Sequence, residues 1–301
     1  MAQEDVATAL YLEHLTREDL AFLSSFDHDG PNTGDLRGYI RSRRGGIEGF
    51  LAKREAFDAV FRAGPDSELL RVSPFLAFAL TIRWTAYELG STQFVPEWPG
   101  AARRALVMDV ARLRQFLSAP LHRFFLAELL ASYARVASGS VLVATPRGLR
   151  RRRFSELDPV QLAGLLEVVG EAERPGVLRR LGDLALFLTG VFPDYVGRHG
   201  FSGVDQGRLS RIAVTGLRGA GAPSAVPRAR LGGDEAVVLL AGLGRRWYEL
   251  ASRLLPRPLP ADVAVIGEIV EHFDDARRVL NVVADRLLFP RRGQWFGLSP
   301  K

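Results

Sequence analysis

A chain of 301 residues is long enough to bury one large core or two smaller ones. Its 47% hydrophobic and 25% charged residues exclude a disordered or fibrous chain, and the absence of cysteine excludes disulfides, thiol nucleophiles and thiolate metal sites together. The formal charge of +6 and pI of about 10.1 raise nucleic acid as a partner, but lysine occurs only at Lys53 and Lys301, and a GC-rich coding composition yields such an arginine skew without any partner.

The N-terminal MAQEDVATALYLEHL carries acids where a signal peptide would be basic. With the lack of cysteine, this points to a cytoplasmic protein. Phe75–Ile82 and Leu184–Phe192 are the most apolar runs, well short of the roughly 18 residues a membrane span requires.

Helical periodicity dominates the chain. Helices are expected at Glu4–Leu15, Glu18–Phe26, Ile47–Arg62, Pro74–Leu89, Ala111–Leu117, Leu121–Val136, Pro159–Val169 and Val177–Phe192. Thr16, followed by Glu18 and Asp19, reads as an N-cap with acids in the first turn, where the helix dipole favours them. Asp158-Pro159-Val160-Gln161 offers an N-cap, a proline at the first helical position and a glutamine at the third. Two long helices close the chain. In the helix from about Asp234 to Leu254, Val237, Leu240, Ala241, Trp247, Tyr248, Ala251 and Leu255 share a face. In Asp262–Leu288, Ile266, Ile269, Phe273, Ala276, Leu280, Val283 and Leu287 form a stripe, with Glu268, Glu271, Asp275 and Arg278 expected on the polar side.

Ser138–Phe154 breaks the pattern. Val141, Leu142, Val143, Ala144 and Thr145 read as a strand, Thr145-Pro146-Arg147-Gly148 as a turn, and Leu149–Phe154 as the return strand. Alternation sends Arg151 and Arg153 one way and Arg150 and Arg152 the other. Neither face of that strand can then be fully buried, because arginine is almost never buried unpaired. Gly90–Ala105 and the Gly-, Ala-, Pro- and Arg-rich Thr215–Gly233 read as loops. The expected fold is mainly α, an irregular multi-helix bundle with one small β-hairpin near 141–154. It forms a single compact helical domain over 1–301, with an N-terminal sub-bundle at 1–100 and a flexible loop at about 215–233.

Signatures of chemistry are sparse. Gly216-Leu217-Arg218-Gly219-Ala220-Gly221 lacks the Lys-Ser/Thr ending and preceding strand of a P-loop. The five histidines, His14, His28, His122, His199 and His272, include no His-Glu-x-x-His pair, and Glu268 with His272 lies off the apolar stripe. No Gly-x-Ser-x-Gly elbow occurs. No cofactor and no metal site are expected. Polar residues embedded in apolar helices stand out: Glu128, Asp183, Arg246, Asn281 and Asp285. They either satisfy one another structurally or frame a pocket. Asp183 is expected to pair with Arg179, Arg180 or an arginine from another helix.

The run GDLALFLTGVFP (182–193), with FSELDP and the Arg-rich segment upstream, resembles an uncharacterised family of helical bacterial proteins over about residues 110 to 200. That resemblance implies one integral domain there; it brings no activity, substrate or cofactor and carries over no functional residue.

The reading is therefore a non-enzymatic helical binding or regulatory protein. Its partner is a protein or nucleic acid, met as an acidic surface by Arg147, Arg150, Arg151, Arg152 and Arg153. Two-stranded ribbons can enter a major groove, and arginine is a frequent reader of phosphate and guanine. The alternative is an enzyme or small-ligand receptor with a polar pocket between helices at the five embedded residues.

Overall fold

The computed structural model describes residues 3–27, 34–43, 45–61, 69, 71–100, 103–107, 109–134, 138–145, 148–215, 233–255 and 261–291. Among them the chain is mainly α-helical, and no helix is long and apolar enough to cross a membrane. By internal contacts it divides into two compact units: unit 1 is residues 1–96, 106–134 and 278–301, and unit 2 is residues 97–105 and 135–277.

Unit 1 begins with α1 (Gln3–His14), α2 (Arg17–Ser24), α3 (Leu36–Ser42), α4 (Gly46–Leu51), α5 (Arg54–Phe61) and α6 (Pro74–Gly90). The helix expected at Ile47–Arg62 is broken in two at Ala52 and Lys53, and α3 was not signalled by periodicity. After β1 (Val95–Gly100) and β2 (Arg103–Val107), α7 (Val110–Ser118) and α8 (Pro120–Ser132) complete the main helical part. α6 packs on α8 and α7, and α1 on α8 and α4. Tyr11, Phe75 and Phe124 meet at the centre, with ring centroids 5.2–5.8 Å apart. Thr16 closes a capping box: its Oγ accepts from the Asp19 amide at 3.1 Å, and Asp19 Oδ2 accepts from the Thr16 amide at 3.0 Å. Asp19 is fully buried because its other oxygen takes the Ser73 amide at 2.8 Å, tying α2 to the start of α6.

The segment expected to be a loop at Gly90–Ala105 holds most of a second two-stranded ribbon, β1 with β2. Pro96 and Pro99 argued against a strand there. A two-stranded ribbon is all edge, and edge strands tolerate proline where central strands do not.

Unit 2 contains β3 (Ser138–Thr145), β4 (Gly148–Ser155), α9 (Pro159–Ala163) with a 3-10 turn at Gly164–Glu167, α10 (Arg174–Val191), α11 (Pro193–His199), α12 (Gly203–Thr215), α13 (Gly233–Leu254) and α14 (Ala261–Glu271). α15 (Phe273–Val283) follows, its residues from Arg278 onward counted with unit 1, and runs into a π turn at Ala284–Leu288. Asp158 caps α9, accepting from the Val160 and Gln161 amides at 2.9 and 3.1 Å. The dominant packing is α10 along α13. It is close because two glycines allow it. A Cβ on Gly182 would stand 2.5 Å from the Tyr248 ring, and one on Gly244 would stand 2.5 Å from the Ala185 Cβ. The glycine in GDLALF is thus a packing residue.

Leu184, Leu188, Trp247, Phe273 and Leu280 are all buried. The long final helix, however, is interrupted between Glu271 and Phe273. The apolar stripe stays in phase across the break, with Ile266, Ile269, Phe273, Ala276, Leu280 and Val283 all buried, and the buried arc is wide enough to take in Val279, Val282 and also Asp275, expected on the polar side, at 2% exposure. The proposed loop at 215–233 falls at 216–232 outside the described residues.

Candidate functional site

The basic hairpin is the antiparallel ribbon β3–β4. Its register pairs Arg150 with Val143, Arg151 with Leu142, Arg152 with Val141 and Arg153 with Ser140. Directly opposed residues in an antiparallel pair share a face. By register, Arg150 and Arg152 hold positions of one face of the ribbon, and Arg151 and Arg153 positions of the other. Neither strand contains an acid. β4 leads into the Asp158-capped α9, which packs against it. Arg147, with Pro146, lies outside the described residues.

The five embedded polar residues divide between the units: Glu128, Asn281 and Asp285 belong to unit 1, Asp183 and Arg246 to unit 2. Asp183 is buried and accepts a 2.7 Å hydrogen bond from the Tyr248 hydroxyl. Arg180, one of its expected partners, reaches Glu156 at 3.1 Å. Arg246 pairs with Glu249 one turn along α13. Glu128 and Asp285 are half-buried and Asn281 is buried. A cleft of about 240 Å³ on unit 1 is bordered by Glu4, Asp5, Arg41 and Arg43, and none of the five embedded residues lines it. Among the described residues, no three His, Asp or Glu side chains gather as metal ligands.

Sequence reasoning missed the most buried charge cluster in unit 1. Glu48 on α4 meets Arg123 on α8 at 2.9 Å and Arg83 on α6 at 3.5 Å. The Arg123 guanidinium also donates to the carbonyls of Leu117 and Ser118, the latter at 3.0 Å, so it caps the C-terminus of α7. Arg83 Nε and Glu48 Oε2 are buried without hydrogen bonds and face each other as ions. Tyr11 lies within reach of all three charges. Burial pushes its phenol well above the usual 10.0, Glu48 adds to the rise, and Arg123 and Arg83 oppose it. Burial lowers the Arg83 value, the neighbouring Arg123 lowers it further, and Glu48 pulls it back. The signal available was Arg83 and Arg123 sitting within otherwise apolar runs.

A second missed cluster in unit 1 joins Asp27, Tyr39, Arg43 and Lys53. The Tyr39 hydroxyl donates to Asp27 at 2.8 Å and accepts from Arg43 Nε at 2.9 Å. Lys53 stands 3.5 Å from Asp27 and donates to the Phe26 carbonyl at 2.9 Å. The Tyr39 hydrogen bond, with the two cations, holds the Asp27 carboxyl below its usual value.

In unit 2, Glu97 is buried against Arg277. Arg277 also approaches Asp274 at 3.8 Å, and Asp274 pairs with Arg245 at 2.8 Å.

No protein-family model matches the chain, and no curated protein or solved structure does so.

Proposed function

We propose that this chain is a binding protein that meets a polyanionic partner, the phosphate backbone of a nucleic acid, through the β3–β4 ribbon. The observation that carries this reading is the ribbon register. Arg150, Arg151, Arg152 and Arg153 stand opposite Val143, Leu142, Val141 and Ser140, and no acid lies in either strand to neutralise them. Elsewhere in the fold, partly buried arginines such as Arg123, Arg180 and Arg277 are matched with carboxylates. Anchoring of β4 on α9 adds support, because a rigid ribbon presents charge at a lower ordering cost than a loose tail. The overall charge of +6 favours approach to a polyanion.

The test is an anisotropy titration of the full chain against a labelled mixed-sequence duplex at low salt, repeated with an Arg150→Ala/Arg152→Ala double variant. Binding that weakens in the variant is the expected result. No binding by the natural chain, or affinity unchanged in the variant, removes the reading.

A further inference from the structure

On unit 1, α5 and α6 assemble a run of aromatic rings that ends at the surface. Phe57 stacks on Trp84 with centroids 4.7 Å apart and planes 13° apart. Phe61 lies 4.7 Å from Phe57, and Tyr87 lies 5.2 Å from Trp84 with planes 31° apart. Phe57 and Phe61 are buried, so core packing accounts for them. It does not account for Tyr87, which is 68% exposed.

Cations flank the run. The Arg54 guanidinium sits over the Trp84 ring at 5.5 Å, and that of Arg291 lies 5.9 and 6.0 Å from the Phe57 and Phe61 rings. The indole is held in place: Trp84 Nε1 donates to Glu88 at 2.8 Å, and Arg286 stands 3.9 Å from the same carboxylate.

We infer that Tyr87, backed by Trp84, forms a stacking platform for an unpaired base of single-stranded nucleic acid, with Arg54 meeting the adjoining phosphate. A π-face beside guanidinium groups is the combination that binds single strands without sequence preference. Arg54 is available for this. Its exposed partner Asp58, at 3.3 Å, gives a pair of the kind that contributes little, and a phosphate can replace it. The positive flank favours an anionic occupant over a proline-rich peptide, which would use the rings but leave the charge unmet. The platform does not depend on the ribbon reading, because it concerns unit 1 and single strands.

The experiment is an anisotropy titration of the full chain with a labelled oligothymidylate of about ten nucleotides, within the site sizes such surfaces take. Tyr87→Ala should weaken binding about tenfold or more, as loss of one stacked base does, and Tyr87→Phe should keep the natural affinity. The same loss is expected when Tyr87→Ala is placed on the Arg150→Ala/Arg152→Ala background. Absence of binding, unchanged affinity in Tyr87→Ala, equal losses in Tyr87→Ala and Tyr87→Phe, or capture of a proline-rich peptide in place of the oligonucleotide would each overturn the platform. The ribbon reading fails separately, on unchanged duplex affinity in the arginine double variant.

Discussion

Arginine is treated in opposite ways in two regions of this chain. Around Glu48, two arginines from different helices are drawn inward and share one carboxylate, and Arg123 also caps the end of α7. Along β4, four successive arginines stand opposite two valines, a leucine and a serine in a ribbon without an acid. Where helices converge, guanidinium groups are consumed as structural ties.

The largest effect tests the structural side of this contrast. Glu48→Ala strands the buried Arg123 guanidinium and the partly exposed one of Arg83, and should cost about 3 kcal/mol, the lower end for breaking a buried pair because Arg83 is about a third exposed. Urea unfolding measures it, and a loss under about 1 kcal/mol would mean that the cluster is not a tie. Tyr248→Phe in unit 2 removes a donor to buried Asp183 and should cost about 1–3 kcal/mol, read in the same way.

Tyr11 gives a pH-dependent version. Its phenol is raised in the folded state, so above pH 10 the unfolded chain loses the proton first and binds fewer protons than the folded one. The contribution is fully present below pH 10 and is lost as pH climbs toward the folded value. Thermal melts should therefore show a fall in stability above pH 10 that is smaller in Tyr11→Phe. An identical alkaline profile in the two proteins would contradict the burial of the Tyr11 phenol, to which Glu48 adds. At the small end, Arg150→Ala/Arg152→Ala should change stability by no more than about 0.5 kcal/mol, as surface substitutions do. A larger loss would show that the ribbon arginines, like Arg123, are structural.

Local signals in the sequence carried as far as local physics reaches. The alternation after Ser140, the Gly148 turn, the Asp158 cap and the Thr16 cap are encoded within a few residues, and the ribbon and both helix starts follow from them. The break at Ala52 and Lys53 and the interruption at His272 carry no proline or glycine to announce them, so two helices were read as longer than they are; Asp275 was assigned to the polar side because the buried arc of the last helix, which takes in Val279 and Val282, is wider than its periodic stripe. The β1–β2 ribbon was hidden by its own prolines. Glu48 and Arg123 lie 75 residues apart, and periodicity reports which face of a helix is apolar but not which distant charge meets it. For the same reason Tyr248 could not be read as the partner of Asp183, although both were singled out on their own helices.

The claim that the ribbon arginines are free for a polyanion is tested most directly by the salt dependence of duplex affinity. Each phosphate neutralised contributes about 0.9 to the slope of log affinity against log salt on duplex DNA. If Arg150 and Arg152 each meet a phosphate, the double variant should bind more weakly at every salt concentration, with a slope shallower by up to about two. Parallel lines of equal affinity for the natural chain and the variant would contradict it.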